Sequence, residues 1–280
     1  LGDFHKLPEP YGVILGRLTS NYTLAIGISV LLAGMMVYAR LRHQPSSAQL
    51  TTRSSLDLYI LLLIAALIVG RAVYVLTHFD YYGVHPQAIL QFSQGGIDWH
   101  GVVWSSVLVI WLFARWKNVP FPALLNTCAT ALPIVMFGAW WGCHAASCSY
   151  GAEVQNMSQY PSWLVWEGPD IYGLQLPRFY TQSIGTILAF ALFVLELLLS
   201  RLPHFRSNRF ALVLILMSLS MFGIGFLRGD AVLRVANLRA DQWLDGTTLL
   251  FALVLLLKTS GTASKTGYDS ATPSLAFESD

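Results

Sequence analysis

The chain has 280 residues, of which 55% are hydrophobic and only 11% charged, whereas a soluble domain carries about 25% charged residues. A net charge of +2 without a basic run excludes a nucleic-acid surface, and three cysteines are too few for a disulfide-built scaffold. The composition is that of a polytopic membrane protein.

Leu1–Ser20 has no basic stretch ahead of an apolar core, so no signal peptide is expected there. Seven apolar stretches follow: Tyr22–Tyr38, Leu56–Thr77, Val102–Trp116, Ala123–Trp141, Phe179–Leu199, Phe210–Leu227 and Leu244–Leu257. A spanning helix needs about 20 residues, so the third and seventh are short. None alternates like a strand, and lipid admits only helices or closed barrels, so the expected fold is all-α with about seven transmembrane helices. Residues 1–258 then form a single transmembrane domain. Thr259–Asp280, rich in Ser, Thr, Gly and Ala, is predicted to be a disordered cytoplasmic tail.

Basic residues set the orientation. With the N-terminus outside, the inner loops hold Arg40, Arg42, Arg53, Arg115, Lys117, Arg201, Arg206, Arg209, Lys258 and Lys265. The outer segments hold only Lys6, Arg17, Arg178, Arg228, Arg234 and Arg239. The bias therefore predicts N-terminus out and C-terminus in. The cluster Arg228–Arg239 runs against it, and charges placed against the trend need another reason to be there.

In that orientation several chemical groups share the outer face. Arg71, Tyr74 and His78 form one stripe of the second apolar stretch. Arg71 lies roughly 10 Å inside the boundary, where a charge costs about 2.5–3.5 kcal/mol and needs a partner or a wet cavity. Next, Gln94-Gly95-Gly96-Ile97-Asp98-Trp99-His100-Gly101 leads straight into the third stretch and puts an imidazole at its mouth. The fourth stretch ends at Cys143-His144 and Cys148, and the sixth at Arg228. The long outer segment after Cys148 carries Tyr160, Trp163, Trp166 and Tyr172, which suit the headgroup level. Arginines with a histidine suit an anionic phospholipid, because guanidinium pairs with phosphate through two hydrogen bonds and imidazole accepts a proton near neutral pH. Cys143 and Cys148 are candidates for a disulfide in an oxidising compartment. With His144 and His100 they also offer metal-ligand types, but at irregular spacing and without a C-x-x-C pair, so no metal is expected. Cys128, in mid-stretch, reads as a small core residue.

These residues resemble the bacterial prolipoprotein diacylglyceryl transferases. Asn21-Tyr22 is similar to that family's first-helix start. Gly70-Arg71-Ala72-Val73-Tyr74, Tyr81-Tyr82, His85-Pro86, Gly95-Gly96 and His100-Gly101 resemble its central signature in order and spacing, and Phe226-Leu227-Arg228-Gly229-Asp230 with Gln242-Trp243-Leu244 resembles its last motif. Departures are equally plain. The family's G-R-x-G-N-F-x-N-G-E-x-x-G falls on Ala139–Gly151, with Trp140 for the arginine, Cys143 for the asparagine and Cys148 for the glutamate. That pattern resembles a cysteine-containing branch of the family. Its H-P-x-Q-x-Y-E stretch survives only as Pro177 and, at the acidic end, Gln182; Gly225 stands where an acid precedes the last arginine.

The resemblance implies seven helices in the bacterial cytoplasmic membrane with the active site facing outward, and no cofactor. It implies transfer of a diacylglyceryl group from phosphatidylglycerol to the cysteine thiol of a lipoprotein precursor. Carried over, His100 is the base or orients the substrate, and Arg228 neutralises phosphate. Tyr22, Tyr74, Gly101, Cys143 and Gly151 shape the site, and Arg71 makes up part of the charge lost at Trp140. The departures leave two alternatives open: another lipid-modifying enzyme on the same fold, or a lipid-binding protein without catalysis.

Overall fold

The computed structural model describes the backbone of residues 9–43, 50–91, 96–170, 172–202, 205 and 207–269, and the side chains among these from 21 to 258. Lys6, Arg17, Gln94, Gly95, Arg206 and Lys265, named above, lie outside the described side chains, and the tail from residue 270 lies outside the described residues.

Each of the seven apolar stretches is mostly helical. They correspond to α1 (Glu9–Arg42), α2 (Thr52–Thr77), α4 (Trp99–Lys117), the pair α5 (Phe121–Cys128) and α6 (Ala131–Ala146), α7 (Thr181–Arg201), α8 (Arg209–Gly225) and α9 (Ala240–Asp269). A short α3 (Phe79–Tyr82) follows α2. By length and composition five segments can cross a membrane: Asn21–Arg42, Thr52–Thr77, Phe121–Ala146, Thr181–Arg201 and Ala240–Lys258, and α8 is apolar but shorter. Side-chain exposure agrees with a lipid surround: on α2, Ile60, Ile64 and Ile68 are 52%, 51% and 60% exposed. Such a stripe has no place in water but is ordinary against acyl chains.

One sequence expectation changes. The last helix is not short, since α9 begins at Ala240 and runs past Thr259, where the disordered tail was predicted to begin, to Asp269. Two short hairpins accompany the helices of this all-α fold. β1 (Val165–Pro169) pairs with β2 (Gln175–Phe179), and β3 (Arg234–Val235) with β4 (Leu238–Arg239). Both hairpins lie in polar connections, where periodicity is too short to stand out against the apolar spans.

Local chemistry fixes the helix ends. Asp98 caps α4, accepting from the backbone N–H groups of His100 and Gly101. Asn118 closes it in the left-handed conformation, two residues before Pro120. Pro133 has no N–H to offer the carbonyl of Ala129, and the helix breaks there between α5 and α6. Buried Asn126 ties that break to α8, donating to the Ser207 carbonyl at 2.7 Å and accepting from the Phe210 N–H at 2.9 Å.

Helix α1 packs along α6, α2 along α4, and α7 and α9 each against α8. Where helices approach most closely the residues are small, the usual device for packing within lipid. A Cβ on Gly101 would lie 2.8 Å from the Cα of Gly70, so α2 and α4 meet backbone to backbone. One core gathers Leu41, Phe113, Leu124, Phe210 and Leu214; a second gathers Met136, Trp140, Leu192 and Met217.

Candidate functional site

The stripe on α2 divides. Arg71 is 3% exposed. Its Nε donates to the Ile89 carbonyl at 2.9 Å, Nη2 to Ala88 at 2.7 Å, and Nη1 to Gly96 at 3.0 Å. The sequence casts Arg71 as a replacement for the charge lost at Trp140; the structure gives its guanidinium to backbone carbonyls of the α3–α4 connection instead. The connection folds inward, and its carbonyls need donors that only a buried side chain can supply. Gly96 sits at φ +82°, where a Cβ would meet Arg71 Nη1 and the Tyr74 ring at 2.5 Å. Arg71 is therefore a loop clamp.

Tyr74 and His78 are half-buried near the end of α2. Their rings stack at 4.1 Å, and His78 Nδ1 lies 3.0 Å from the Tyr74 carbonyl oxygen. Tyr22, predicted to shape the site, packs on α6, where a Cβ on Gly142 would come within 2.8 Å of its ring.

His100 is 1% exposed at the mouth of α4. Its Nδ1 is 3.0 Å from Asp98 Oδ1 and its Nε2 is 3.0 Å from Asp245 Oδ1 on α9. Both ring nitrogens are thus engaged by carboxyl groups, which leaves no lone pair open to a substrate. That arrangement is at odds with the base role expected from sequence. The triad joins α4 to α9, and one turn further Trp104 Nε1 donates to Thr248 Oγ1 at 2.9 Å. Burial works against the charged Asp98, yet hydrogen bonds from the His100 ring and from the N–H groups of Gly101 and His100 hold its carboxyl below the usual range.

Arg228 follows α8 in a network the sequence did not foresee. It donates from Nε and Nη2 to Asp230 at 2.8 and 2.5 Å and from Nη1 to Asp241 at 3.0 Å. Arg239, 1% exposed, donates to the same two carboxylates and to the Asp230 carbonyl. The two arginines and two aspartates form a closed square of opposite charge. Burial opposes the charge on Asp230, but Arg228 and then Arg239 keep its carboxyl below the ordinary range. Burial likewise opposes the charge on Arg228, and Asp230 with Asp241 overcomes it, raising its pKa. Among the described residues, two of the five N–H donors of Arg228 have no acceptor, and its side chain is 22% exposed.

Strand pairing carries this square across to the end of α6. Ala152 N–H donates to the Leu227 carbonyl at 2.8 Å and Gly229 N–H to the Tyr150 carbonyl at 2.9 Å, so Gly151 lies opposite Arg228. On its other side the same segment meets β2, where Phe179 N–H donates to Ala152 and Val154 N–H to Pro177. A Cβ on Gly151 would collide with the Phe179 carbonyl, which explains why glycine stands there. Cys143 and Cys148 are joined by a disulfide at the α6 exit. The Cys148 carbonyl accepts from Gln182 Nε2 at 3.1 Å, and the Ser149 carbonyl from the Thr181 hydroxyl at 2.7 Å. Trp140 lies flat against Gly185 of α7, where no Cβ could fit, so the arginine of the motif is replaced by packing.

Helices α2, α4, α6, α8 and α9 thus bring Tyr74, His100, the disulfide, Gly151 and Arg228 to one end of the bundle. Asp241, Asp245 and Arg239 were missed. The available signal was two acids at i and i+4 opening an apolar helix in a chain that is only 11% charged. Cys128 is buried and free, as expected of a core residue. No group of three metal-ligating side chains occurs among the described residues.

A family model described as "Prolipoprotein diacylglyceryl transferase" matches residues 14–258. Relatives called phosphatidylglycerol–prolipoprotein diacylglyceryl transferase include one from Clostridium novyi (strain NT), 26% identical over 250 residues, covering 88% of this chain and 94% of that protein. One from Nostoc sp. is 30% identical over 199 residues, covering 67% of this chain and 66% of the relative. One from Streptococcus mutans is 24% identical over 252 residues, covering 89% and 94%.

Proposed function

Since this chain belongs to the prolipoprotein diacylglyceryl transferase family, we propose that it moves a diacylglyceryl group from phosphatidylglycerol to the thiol of a cysteine in a lipoprotein precursor. The end of the bundle that carries Arg228 faces the extracytoplasmic side of a bacterial cytoplasmic membrane, in keeping with the basic residues concentrated at the other end. The names of the relatives support this donor and acceptor.

One observation carries the reading: Arg228 is held rigidly by Asp230 and Asp241 yet keeps two N–H donors and part of its surface open. A guanidinium fixed by two carboxylates cannot collapse onto a neighbour, and its open edge suits a phosphate oxygen. In the reaction the thiolate attacks the glycerol carbon that bears the phosphate, and glycerol phosphate leaves. Charge grows on the departing phosphate, so a preorganised cation there stabilises the transition state more than the ground state. His100, locked between Asp98 and Asp245, fixes α4 against α9 and so sets the distance between the α2 face and the arginine square.

Trp140 favours a second reading. It replaces a cation of the family motif with an apolar ring packed on Gly185, which fits an enzyme on the same fold whose donor headgroup makes a smaller demand for positive charge. The test for both is transfer by the purified protein to a cysteine peptide from vesicles of phosphatidylglycerol or of a zwitterionic phospholipid, followed by the mass of the peptide. A diacylglyceryl mass gain only with phosphatidylglycerol supports the first reading, and a gain with the zwitterionic donor supports the second. No gain with either sinks both.

A further inference from the structure

We infer that His78 accepts the thiol proton of the acceptor cysteine; this rests on the transfer reaction proposed above. That reaction needs a base, because a free thiol has a pKa near 8.5 and is mostly protonated at neutral pH. The obvious imidazole is unsuited. His100 has a carboxyl group on each ring nitrogen and is 1% exposed. The disulfide between Cys143 and Cys148 offers no thiolate.

His78 has the complementary arrangement. Its Nδ1 lies 3.0 Å from the Tyr74 carbonyl oxygen, at the end of α2. A carbonyl only accepts, so Nδ1 carries the hydrogen and the lone pair is on Nε2. The Thr77 hydroxyl is 3.1 Å from the same Nδ1 and equally near the Val73 carbonyl, to which it can donate. Among the described residues Nε2 has no hydrogen-bond partner. Stacking on Tyr74 at 4.1 Å holds the ring half-buried in one plane.

Several charges act on this ring, those of Asp230 and Arg228 from the connection after α8 and that of Asp98 from the mouth of α4. The imidazole therefore lies at the same end of the bundle as the guanidinium assigned to the phosphate, within reach of its charge. Burial pushes the His78 pKa below the ordinary imidazole value, against the opposing influence of the Tyr74 carbonyl and Asp230. A ring held neutral at pH 7 is ready to take a proton.

The step balances without a further reactant. The S–H bond breaks and its proton passes to Nε2. Sulfur forms a bond to the glycerol carbon while the carbon–oxygen bond to phosphate breaks, and the electron pair leaves with glycerol phosphate. The imidazolium then returns its proton to that phosphate oxygen, restoring the neutral ring.

The test is the pH profile of H78Q and H78N in phosphatidylglycerol vesicles with a cysteine peptide, between pH 6 and pH 10. At pH 7 kcat should fall by about 10²–10³-fold, the usual worth of a positioned base, with KM for the peptide little changed. Activity should climb back toward wild type as pH rises past the thiol pKa and the peptide ionises by itself. A deficit equal at every pH, as a purely structural role would give, overturns the inference, as does undiminished kcat at pH 7. If the wild-type protein transfers nothing, the reaction reading fails and a second measurement judges His78 alone. Diethyl pyrocarbonate, with peptide mass mapping, should modify His78 and spare His100, and phosphatidylglycerol vesicles should slow the His78 modification relative to zwitterionic ones. A His78 that is unreactive, or equally reactive in both vesicles, overturns its placement at the lipid site.

Discussion

Two clusters of buried charge mark the two ends of the bundle, and they are built differently. At one end Glu196 of α7, with no exposed surface, accepts from Arg40 Nη1 and Nη2 at 2.7 and 3.0 Å and from Arg209 Nη1 at 3.2 Å. Three helices, α1, α7 and α8, are fastened by that one carboxylate. At the other end, about 25 Å away along α8, two arginines and two aspartates close a square whose rim stays open. The sealed cluster spends every oxygen of its acid on protein donors. The open one balances its charges and still leaves donors on Arg228 uncommitted. Partial exposure alone does not separate the ends, since Arg40 is 19% and Arg228 22% exposed. What separates them is that one wholly buried acid serves two arginines at the first, whereas two partly exposed acids face two arginines at the second.

The sharpest way to break this contrast is to remove Glu196. Glu196→Ala removes the carboxylate that Arg40 and Arg209 share, and stripping one partner from a buried pair costs about 3–5 kcal/mol. Thermal unfolding in detergent should drop well below wild type, while any protein that stays folded retains its turnover per molecule. If Glu196→Ala melts like wild type, the sealed cluster is not the clamp described here.

Arg228→Ala should do the reverse. Arg239 remains against Asp230 and Asp241 at a partly exposed site, so the protein should stay folded, with a melting temperature lowered by less than in Glu196→Ala. Transfer should fall by at least about 100-fold, equivalent to about 2.7 kcal/mol of transition-state stabilisation. Lysine at this position should rescue only partly, because it lacks the fork that engages two carboxylates and a phosphate together. A variant with full turnover would show the open donors to be idle.

The two ends were also unequally legible in the sequence. Continuous apolar runs marked the long helices, because lipid requires unbroken stretches of non-polar residues. It also gathered His100, Arg228 and the paired cysteines at one end, since helices that alternate in direction return to the same face. Partners fixed by long-range geometry stayed hidden. Asp245 meets His100 from 145 positions away, and Arg239 stood out only as part of a basic cluster against the charge bias, with no sign of its acidic partners. Arg71 was misjudged for the same reason: its depth signalled a need for partners, but only the folded connection shows that backbone carbonyls supply them. On the sealed side, the Glu196 clamp gave only the hint of a single acid in an apolar helix.

A smaller effect separates the ends by their covalent tie. The disulfide at the α6 exit braces the segment that pairs with Arg228 and has no counterpart at the Glu196 end among the described residues. Closing so short a loop is worth about 2 kcal/mol in the chain-entropy picture. Cys143→Ser with Cys148→Ser should therefore lower the melting temperature by several degrees and reduce transfer modestly. The family reaction uses the acceptor's own thiol, so turnover should persist. A lipid adduct found by intact mass on either cysteine of the wild type, with all turnover lost in the double variant, would instead make one of them the nucleophile.

The smallest effect is visible only in acid. Asp230 and Asp98 have carboxyl pKa values held below the unfolded value, Asp230 by Arg228 and Arg239 and Asp98 by its hydrogen bonds to His100 and the α4 backbone, in each case against burial. A carboxyl whose pKa is depressed on folding contributes stability that is fully present above about pH 3.9, its unfolded value, and lost as pH falls through the folded value. Melting temperature should then be flat with respect to these groups from neutral pH down to about pH 5 and decline below pH 4. Asp230→Asn isolates the open cluster. It should be less stable than wild type at pH 7, because Arg228 and Arg239 lose a shared counter-charge, and the gap should narrow as acid neutralises the wild-type carboxylate. A gap that stays constant from pH 7 to pH 3 would mean that Asp230 stabilises the chain by packing and hydrogen-bond geometry alone, and that the open square is not held together by its charges.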